Sequence, residues 1–173
     1  MLALSTGRSV NRTIDDVHGD SATGIRVQYL PNKAPTNEGS LWINRTSCAG
    51  CTSVPDSRFA IQNTWSAARY TADIGSMSVG IKFSGRAIYV FFILPNFDAS
   101  SGLVGVVRCN FFIDGVAVGK FTHDSDDSNQ FAYNVLVYQN TTITDGDHVL
   151  LIKTTGTDPA IIIFDYALYT YDA

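Results

Sequence analysis

Charge is scarce in this sequence. Asp, Glu, Lys and Arg make up 16% of it and hydrophobic residues 45%. A disordered chain needs the reverse, many charges and few apolar groups, so disorder is excluded. Basic clusters are missing too. The net charge is −4 and the pI near 5.1, and no Lys/Arg patch is present to neutralise phosphates. Nucleic acid is thereby excluded as a partner, and an anionic membrane surface would repel the chain. The longest apolar run, Ala87–Leu94 (AIYVFFIL), is far too short to cross a bilayer and suits a buried strand, which excludes direct membrane insertion. The opening MLALSTGRSV lacks the apolar core of a signal peptide. A secreted chain of this sequence has had its signal removed or carries it outside these residues.

Cysteine is sparse as well, and the few present are informative. Cys48 and Cys51 stand in SCAGCTS, a polar, glycine-containing loop where a short-range disulfide fits. A zinc site would want a second Cys/His pair, and Cys109, His18, His123 and His148 supply none at ligand spacing. Cys109, inside VVRCNFFID, reads as a buried free thiol. The sequence holds three Asn-x-Ser/Thr sequons, at Asn11, Asn44 and Asn140, each beside turn-like residues, and together they point to a secretory route with N-glycosylation.

Helical periodicity is nearly absent, whereas strand alternation is strong in the second half. Ser78–Phe83 alternates, Ser84-Gly85 turns the chain, and Arg86–Leu94 returns as a strand apolar on both faces. Such a strand should be central, with a sheet below it and loops or a partner above. Leu103–Ile113 ends in Asp114-Gly115, a type I′ turn signal, and Val116–Thr122 answers it. Gln130–Tyr138, His148–Thr154 and Ala160–Tyr171 complete the series. Regular strands joined by Gly/Asp turns without helical crossovers predict an all-β, antiparallel two-sheet β-sandwich. The first half is looser. Thr13–Asp16 and Ile25–Leu30 read as candidate strands, and long loops gather around Trp42, Cys48, Cys51 and Trp65. The 173 residues read as one domain, with 1–11 as a loosely ordered N-terminal arm.

Several segments in order carry a resemblance: FSGRAIYVFFIL, FFIDGVAVGKFT, DGDHVLLIKT and IIIFDYALYTYD, preceded by NRTIDDVHGDSATG, SCAGCTSVPD and NTWSAARYT. Over about Asn11 to Asp172 the chain resembles jelly-roll modules of the galactose-binding-domain-like superfamily, especially the extracellular ones of mushroom-forming fungi. That resemblance implies a two-sheet sandwich at an extracellular address, sometimes attached through a stalk and anchor to a longer surface protein. It implies no activity, because relatives bind sugars, lipids or proteins on loops at one end.

Candidate sites follow from residue types. Asp15, Asp16 and Asp20 form an acidic loop, and the sandwich resemblance adds Asp165. Hard oxygen ligands of this kind suit a structural calcium ion, but the favoured reading is that Asp15 or Asp16 caps a turn through backbone N–H groups and the rest are solvated. No cofactor is otherwise required. Trp42, Trp65 and Tyr70 are candidate platforms for stacking on a sugar ring, with Asp56, Arg58 and Arg69 to bond its hydroxyls. The plainer reading is that both tryptophans pin the loops to the sandwich. The loop His123-Asp124-Ser125-Asp126-Asp127 contains triad residue types, but neighbours in one loop point in different directions, and no Gly-x-Ser-x-Gly elbow exists. His148 fits a structural role at a turn. A non-enzymatic, lectin-like module of the cell wall or cell surface, with a glycan partner, is therefore expected. The alternative is a self-associating coat protein built on sheet edges or aromatic faces.

Overall fold

Side chains that alternate between apolar and polar place one face of each strand inside and the other outside. In the computed structural model, which describes residues 8–32, 40–48, 53–97, 102 and 105–173, this alternation builds twelve strands and no α-helix. They are β1 (Ser9–Asp15), β2 (Gly19–Asp20), β3 (Gln28–Leu30), β4 (Ile43–Asn44), β5 (Ser66–Tyr70) and β6 (Ser76–Ser84) in the first half. The second half supplies β7 (Ala87–Asn96), β8 (Val107–Ile113), β9 (Val116–His123), β10 (Gln130–Asn140), β11 (Asp147–Thr155) and β12 (Ala160–Asp172). Among the described residues no helix is long and apolar enough to cross a membrane.

The strands form two antiparallel sheets. One runs β10-β7-β12-β1-β2, with β5 also on β12 and β4 on β5, and the other runs β3-β6-β11-β8-β9. The four-strand cores of these sheets, β10-β7-β12-β1 and β6-β11-β8-β9, have the double Greek-key order of a jelly roll. The predicted sandwich is therefore the observed one. The type I′ turn is observed too, with φ of 50° at Asp114 and 81° at Gly115. Ser9, Val10 and Asn11, expected to belong to a loosely ordered arm over 1–11, pair with Asp172, Tyr171 and Thr170. Residues 1–7 lie outside the described residues. Likewise, β8 begins at Val107 and not at Leu103, which also lies outside them.

Two apolar layers result. Between the sheets, Met77, Val79, Ile81 and Phe83 meet Ile88, Val90, Phe92, Phe111, Leu150 and Phe164. Phe92 and Phe164 contact edge-on at 6.3 Å, and Phe111 stacks on Tyr138 at 4.5 Å. Truncating Phe92 to Ala would cost about 3–5 kcal/mol. On the outer face of the first sheet, Ile93 and Ile163 pack with Ala60, Trp65 and Ala67. This second layer is why β7 is apolar on both faces, as its pattern predicted. The chain from 53 to 65 lies over it, anchored by Trp65.

Candidate functional site

The β1–β2 turn begins the site. Asp15 Oδ1 accepts hydrogen bonds from Val17 N at 3.1 Å and His18 N at 2.7 Å, and Thr64 Oγ1 donates to its Oδ2 at 3.1 Å. This is a carboxylate tying a turn to a loop. Gly19 lets the turn close: its φ is +78°, and a Cβ there would lie 2.3 Å from Ile25 O. Asp20 closes the following turn by accepting from Ala22 N, Thr23 Oγ1 and the Tyr169 hydroxyl at 2.8, 2.8 and 3.0 Å.

Asp16 and Asp165 are held differently. The Asp16 amide donates to Asp165 O at 3.2 Å, joining the turn to β12. Asp16 Oδ2 accepts from Ser66 Oγ at 2.6 Å, while its Oδ1 is buried without a partner. Burial pushes the Asp16 carboxyl up to about 6, against the opposing pull of the Ser66 hydroxyl and with a contribution from the charge of Asp15. Asp165 accepts from Ile61 N at 3.0 Å. Burial pushes it up to about 7, and the charges of Asp16 and Asp15 add to the shift.

Asp15, Asp16 and Asp165 thus form one electrostatically coupled group, while Asp20 serves a separate turn. The expected four-carboxylate calcium set is not assembled: among the described residues no group of three or more His, Cys, Asp or Glu is placed to hold a metal ion. The lone pairs of Asp15 and Asp20 are occupied by backbone amides and hydroxyls, which is the turn-capping chemistry of their type.

The expected aromatic platform is also rearranged. Trp65 is 1% exposed and Tyr70 fully buried, so neither offers a ring face to a ligand. Trp65 lies beneath the loop that its sequence position suggested it would decorate. Tyr70 donates its hydroxyl to Gly156 O at 2.8 Å, which makes it an internal tie between loops. Asp56 and Arg58 pair with each other at 2.5 Å in a surface turn. Arg69 is exposed on β5, opposite Ile161 of β12. Cys48 is half-buried against the Trp65 layer. Cys51, its expected disulfide partner, lies outside the described residues. Cys109 is buried and free, and burial pushes its thiol up to about 12.

Trp42, 9% exposed and packed into the inter-sheet core, still brings a ring edge to a concave surface. A cleft of about 480 Å³ opens between the β1–β2 turn, β3 and the β4–β5 pair, and Asp16, Arg26, Tyr29, Asn32, Trp42 and Asn44 line it. The Tyr29 and Trp42 rings meet at 4.8 Å with planes 46° apart. Both are fixed: Tyr29 donates to Asp16 O at 2.8 Å, and Trp42 Nε1 donates to Leu30 O at 3.3 Å. The exposed Arg26 donates to Val17 O. Asn44 Oδ1 accepts from Thr46 N, Thr46 Oγ1 and Ser47 N. Rigid aromatic edges beside an amide, a guanidinium and a carboxyl can hold a polyhydroxylated ligand in one orientation.

The loop with triad residue types has no catalytic arrangement. His123 Nε2 faces Asn96 Oδ1 at 2.8 Å, Ser125 donates to Phe97 O at 2.6 Å, and Asp124 pairs with Arg108. Each residue is directed to a different partner.

No protein-family model matches the chain, and no curated protein does. Among solved structures, the Agl-KA catalytic domain aligns with 100% of this chain and 30% of its own length, at 10% identity and a TM-score of 0.52. The likeness is one of fold. A GH87 α-1,3-glucanase catalytic domain in complex with nigerose aligns with 96% of the chain and 29% of its own length, at 12% identity and a TM-score of 0.43. A cycloisomaltooligosaccharide glucanotransferase from Paenibacillus sp., complexed with cycloisomaltoheptaose, aligns with 54% of the chain at 17% identity and a TM-score of 0.39. The chain matches 13% of the length of that protein and 30% of the Agl-KA domain.

Proposed function

We propose that this chain is a non-catalytic carbohydrate-binding module of a cell wall or cell surface, of the galactose-binding-domain-like kind, with the Tyr29–Trp42 cleft as its ligand site. The observation that carries this reading is the cleft itself. It joins two immobilised aromatic side chains to Arg26, Asn32 and Asp16 in one concavity. Sugar recognition needs that combination, apolar ring surface for C–H groups and fixed polar groups for hydroxyls.

The absence of catalysis belongs to the same reading. A glycosidase sets two carboxyls across one cleft. Here the two carboxyls with raised pKa line separate depressions, Asp16 the cleft and Asp165 a second one on the outer face of the first sheet. An extracellular address is supported by the sequons. Asn44 and Asn140 each accept from the hydroxyl of their own sequon threonine, at 2.8 and 3.2 Å, in the same turn geometry. A Cys48–Cys51 disulfide closing the loop before Trp65 belongs to the same address.

The test is retention on insoluble polysaccharides together with a glycan array, comparing wild type with Arg26→Ala. Arg26 is exposed, so its loss should leave the melting temperature unchanged while weakening retention about tenfold, the effect of one charge-assisted hydrogen bond. No retention of the wild type on any glycan, or equal retention of the variant, overturns the assignment.

A further inference from the structure

Four features that work against folding meet at one place. A shallow depression of about 290 Å³ lies on the outer face of the first sheet, lined by Phe59, Ala60, Ile61, Asn134, Asp165 and Tyr166. Phe59 is 62% exposed, and among the described large hydrophobic side chains Val116, at 65%, alone exceeds it. It is nonetheless held in place, with its ring 5.3 Å from that of Tyr133 and its 3₁₀ turn capped by Asp56, which accepts from Arg58 N at 3.0 Å.

Asn134 has a left-handed φ of 55° and stands in a register shift of β10, between Ala132 and Val135. Asp165 stands in the corresponding shift of β12, between Phe164 and Tyr166. Both shifts flank the same residue of β7: Val135 pairs with Phe92 on one side and Phe164 pairs with it on the other. Bulges give up ladder hydrogen bonds and re-aim side chains, and they concentrate beside functional sites. An exposed phenylalanine, a left-handed non-glycine, a buried carboxyl and paired bulges have no common structural purpose in a β-sandwich. Such local violations, gathered at one point, mark a site.

The chemistry of the lining selects the ligand. The Tyr166 ring is braced against Phe91 at 4.5 Å and 8°. Its hydroxyl donates to Asn134 Oδ1, so the NH2 of Asn134 remains for an incoming acceptor. Asp165 lies in the floor, with Oδ1 already accepting from Ile61 N. We propose that this depression is a second glycan contact that takes one sugar ring, with Phe59 and Tyr166 against its apolar edge and the exposed amide of Asn134 bonding its hydroxyls. The space is below that of a drug-sized pocket, which fits a single ring and not a chain. The choice of ligand class rests on the carbohydrate-binding reading of the cleft. The two linings share no residue, so the domain would hold a polysaccharide surface at two separate points.

The test is amide and side-chain NMR of the intact chain during titration with methyl β-glucopyranoside, methyl β-galactopyranoside, methyl α-mannopyranoside and the methyl glycoside of N-acetylglucosamine, with cyclohexanol as control. The expected result is saturable shifts at Ile61, Tyr166 and the Asn134 side-chain amide with at least one glycoside and none with cyclohexanol. Phe59→Ala should weaken the response about tenfold, as loss of an aromatic contact does. Asn134→Gly keeps the left-handed backbone, so it folds, and it too should weaken the response. No saturable shift at these positions, or shifts unchanged in both variants, overturns the proposal. Shifts at Arg26 and Asn44 report the cleft in the same spectra. Cleft shifts alone sink the second contact, depression shifts alone sink the cleft assignment, and silence at both sinks both.

Discussion

Asp20 and Asp165 are both buried carboxyls, yet their surroundings give them opposite roles. Asp20 has three donors, Ala22 N, Thr23 Oγ1 and the Tyr169 hydroxyl, so its charge is compensated. Replacing it with Ala strands those donors and should cost about 1–3 kcal/mol, read as a lower denaturant midpoint at neutral pH. Asp165 has Ile61 N as its donor and two neighbouring carboxyls, and its pKa is raised to about 7 by burial first and by Asp16 and Asp15 after it. A carboxyl raised in the fold binds its proton more tightly there than in the unfolded chain. Its stabilisation is therefore complete below the unfolded value near 4 and is lost as pH climbs to about 7. Asp165→Asn keeps the acceptor for Ile61 and removes the charge. It should raise the melting temperature at pH 8 and leave it unchanged at pH 4. Equal melting of variant and wild type at pH 8 would show that the charge is compensated after all.

The elements explain both what the sequence revealed and what it concealed. Hairpins such as β8–β9 were legible because Asp114-Gly115 specifies its turn locally, and β7 was legible because a doubly apolar strand must be central. The candidate site was legible only in part. Asp16 and Trp42 were recognisable as polar and aromatic residues in long loops and line the cleft, but Trp65 and Tyr70 occur in the same kind of sequence and do not reach it. Whether a loop aromatic points outward or is folded under depends on the tertiary path of the loop. Asn134 and Phe59 carried no signal at all, since a register shift is a property of two strands and cannot be read from one. Edges are a further property of elements. In β9 a bulge at Val118 lies opposite Phe111 and Phe112 of β8 and Lys120 is exposed, β10 carries two register shifts, and β3 is three residues long with Pro31 after it. The margin at β1 carries Asn11, an expected glycosylation site, beside Arg12. These devices blunt edge-to-edge pairing. The chain should therefore remain monomeric in light scattering at high concentration, and particles that grow with concentration would favour a self-assembling coat protein instead.

At the scale of the whole molecule, the titrating groups combine into a stability profile. Asp16 and Asp165, at about 6 and about 7, make the fold less stable as pH rises from about 4 to 7. One such shift, from 3.8 to about 6, corresponds to about 3 kcal/mol. His148 acts in the same direction. Partial burial lowers its pKa, but Asp114 Oδ2 at 2.7 Å and Thr144 O at 2.6 Å both accept from the ring, and the net shift is upward. Both nitrogens are satisfied only in the imidazolium form, so this pin between the β8–β9 turn and the loop before β11 is intact below the unfolded value near 6.5. It weakens as pH rises through the higher folded value. The opposite trend comes from Asp56, lowered to about 2 by the Arg58 side chain, and from Asp114 and Asp126, lowered by His148 and Ser128. Depressed carboxyls lose their contribution as pH falls below about 4 and through their folded values. These groups are exposed, and screening keeps their share small. The sum places the stability maximum between about pH 4 and 6, on the acid side of neutral, because the buried carboxyls, which prefer to be protonated, outweigh the screened surface pairs. Thermal melts from pH 3 to 9 should peak there and fall by on the order of 10 °C by pH 8. A flat profile between pH 5 and 8 would mean that Asp16 and Asp165 are compensated in solution. A peak at pH 8 would reverse the sign and show that the charged form of these carboxyls is the one the fold stabilises.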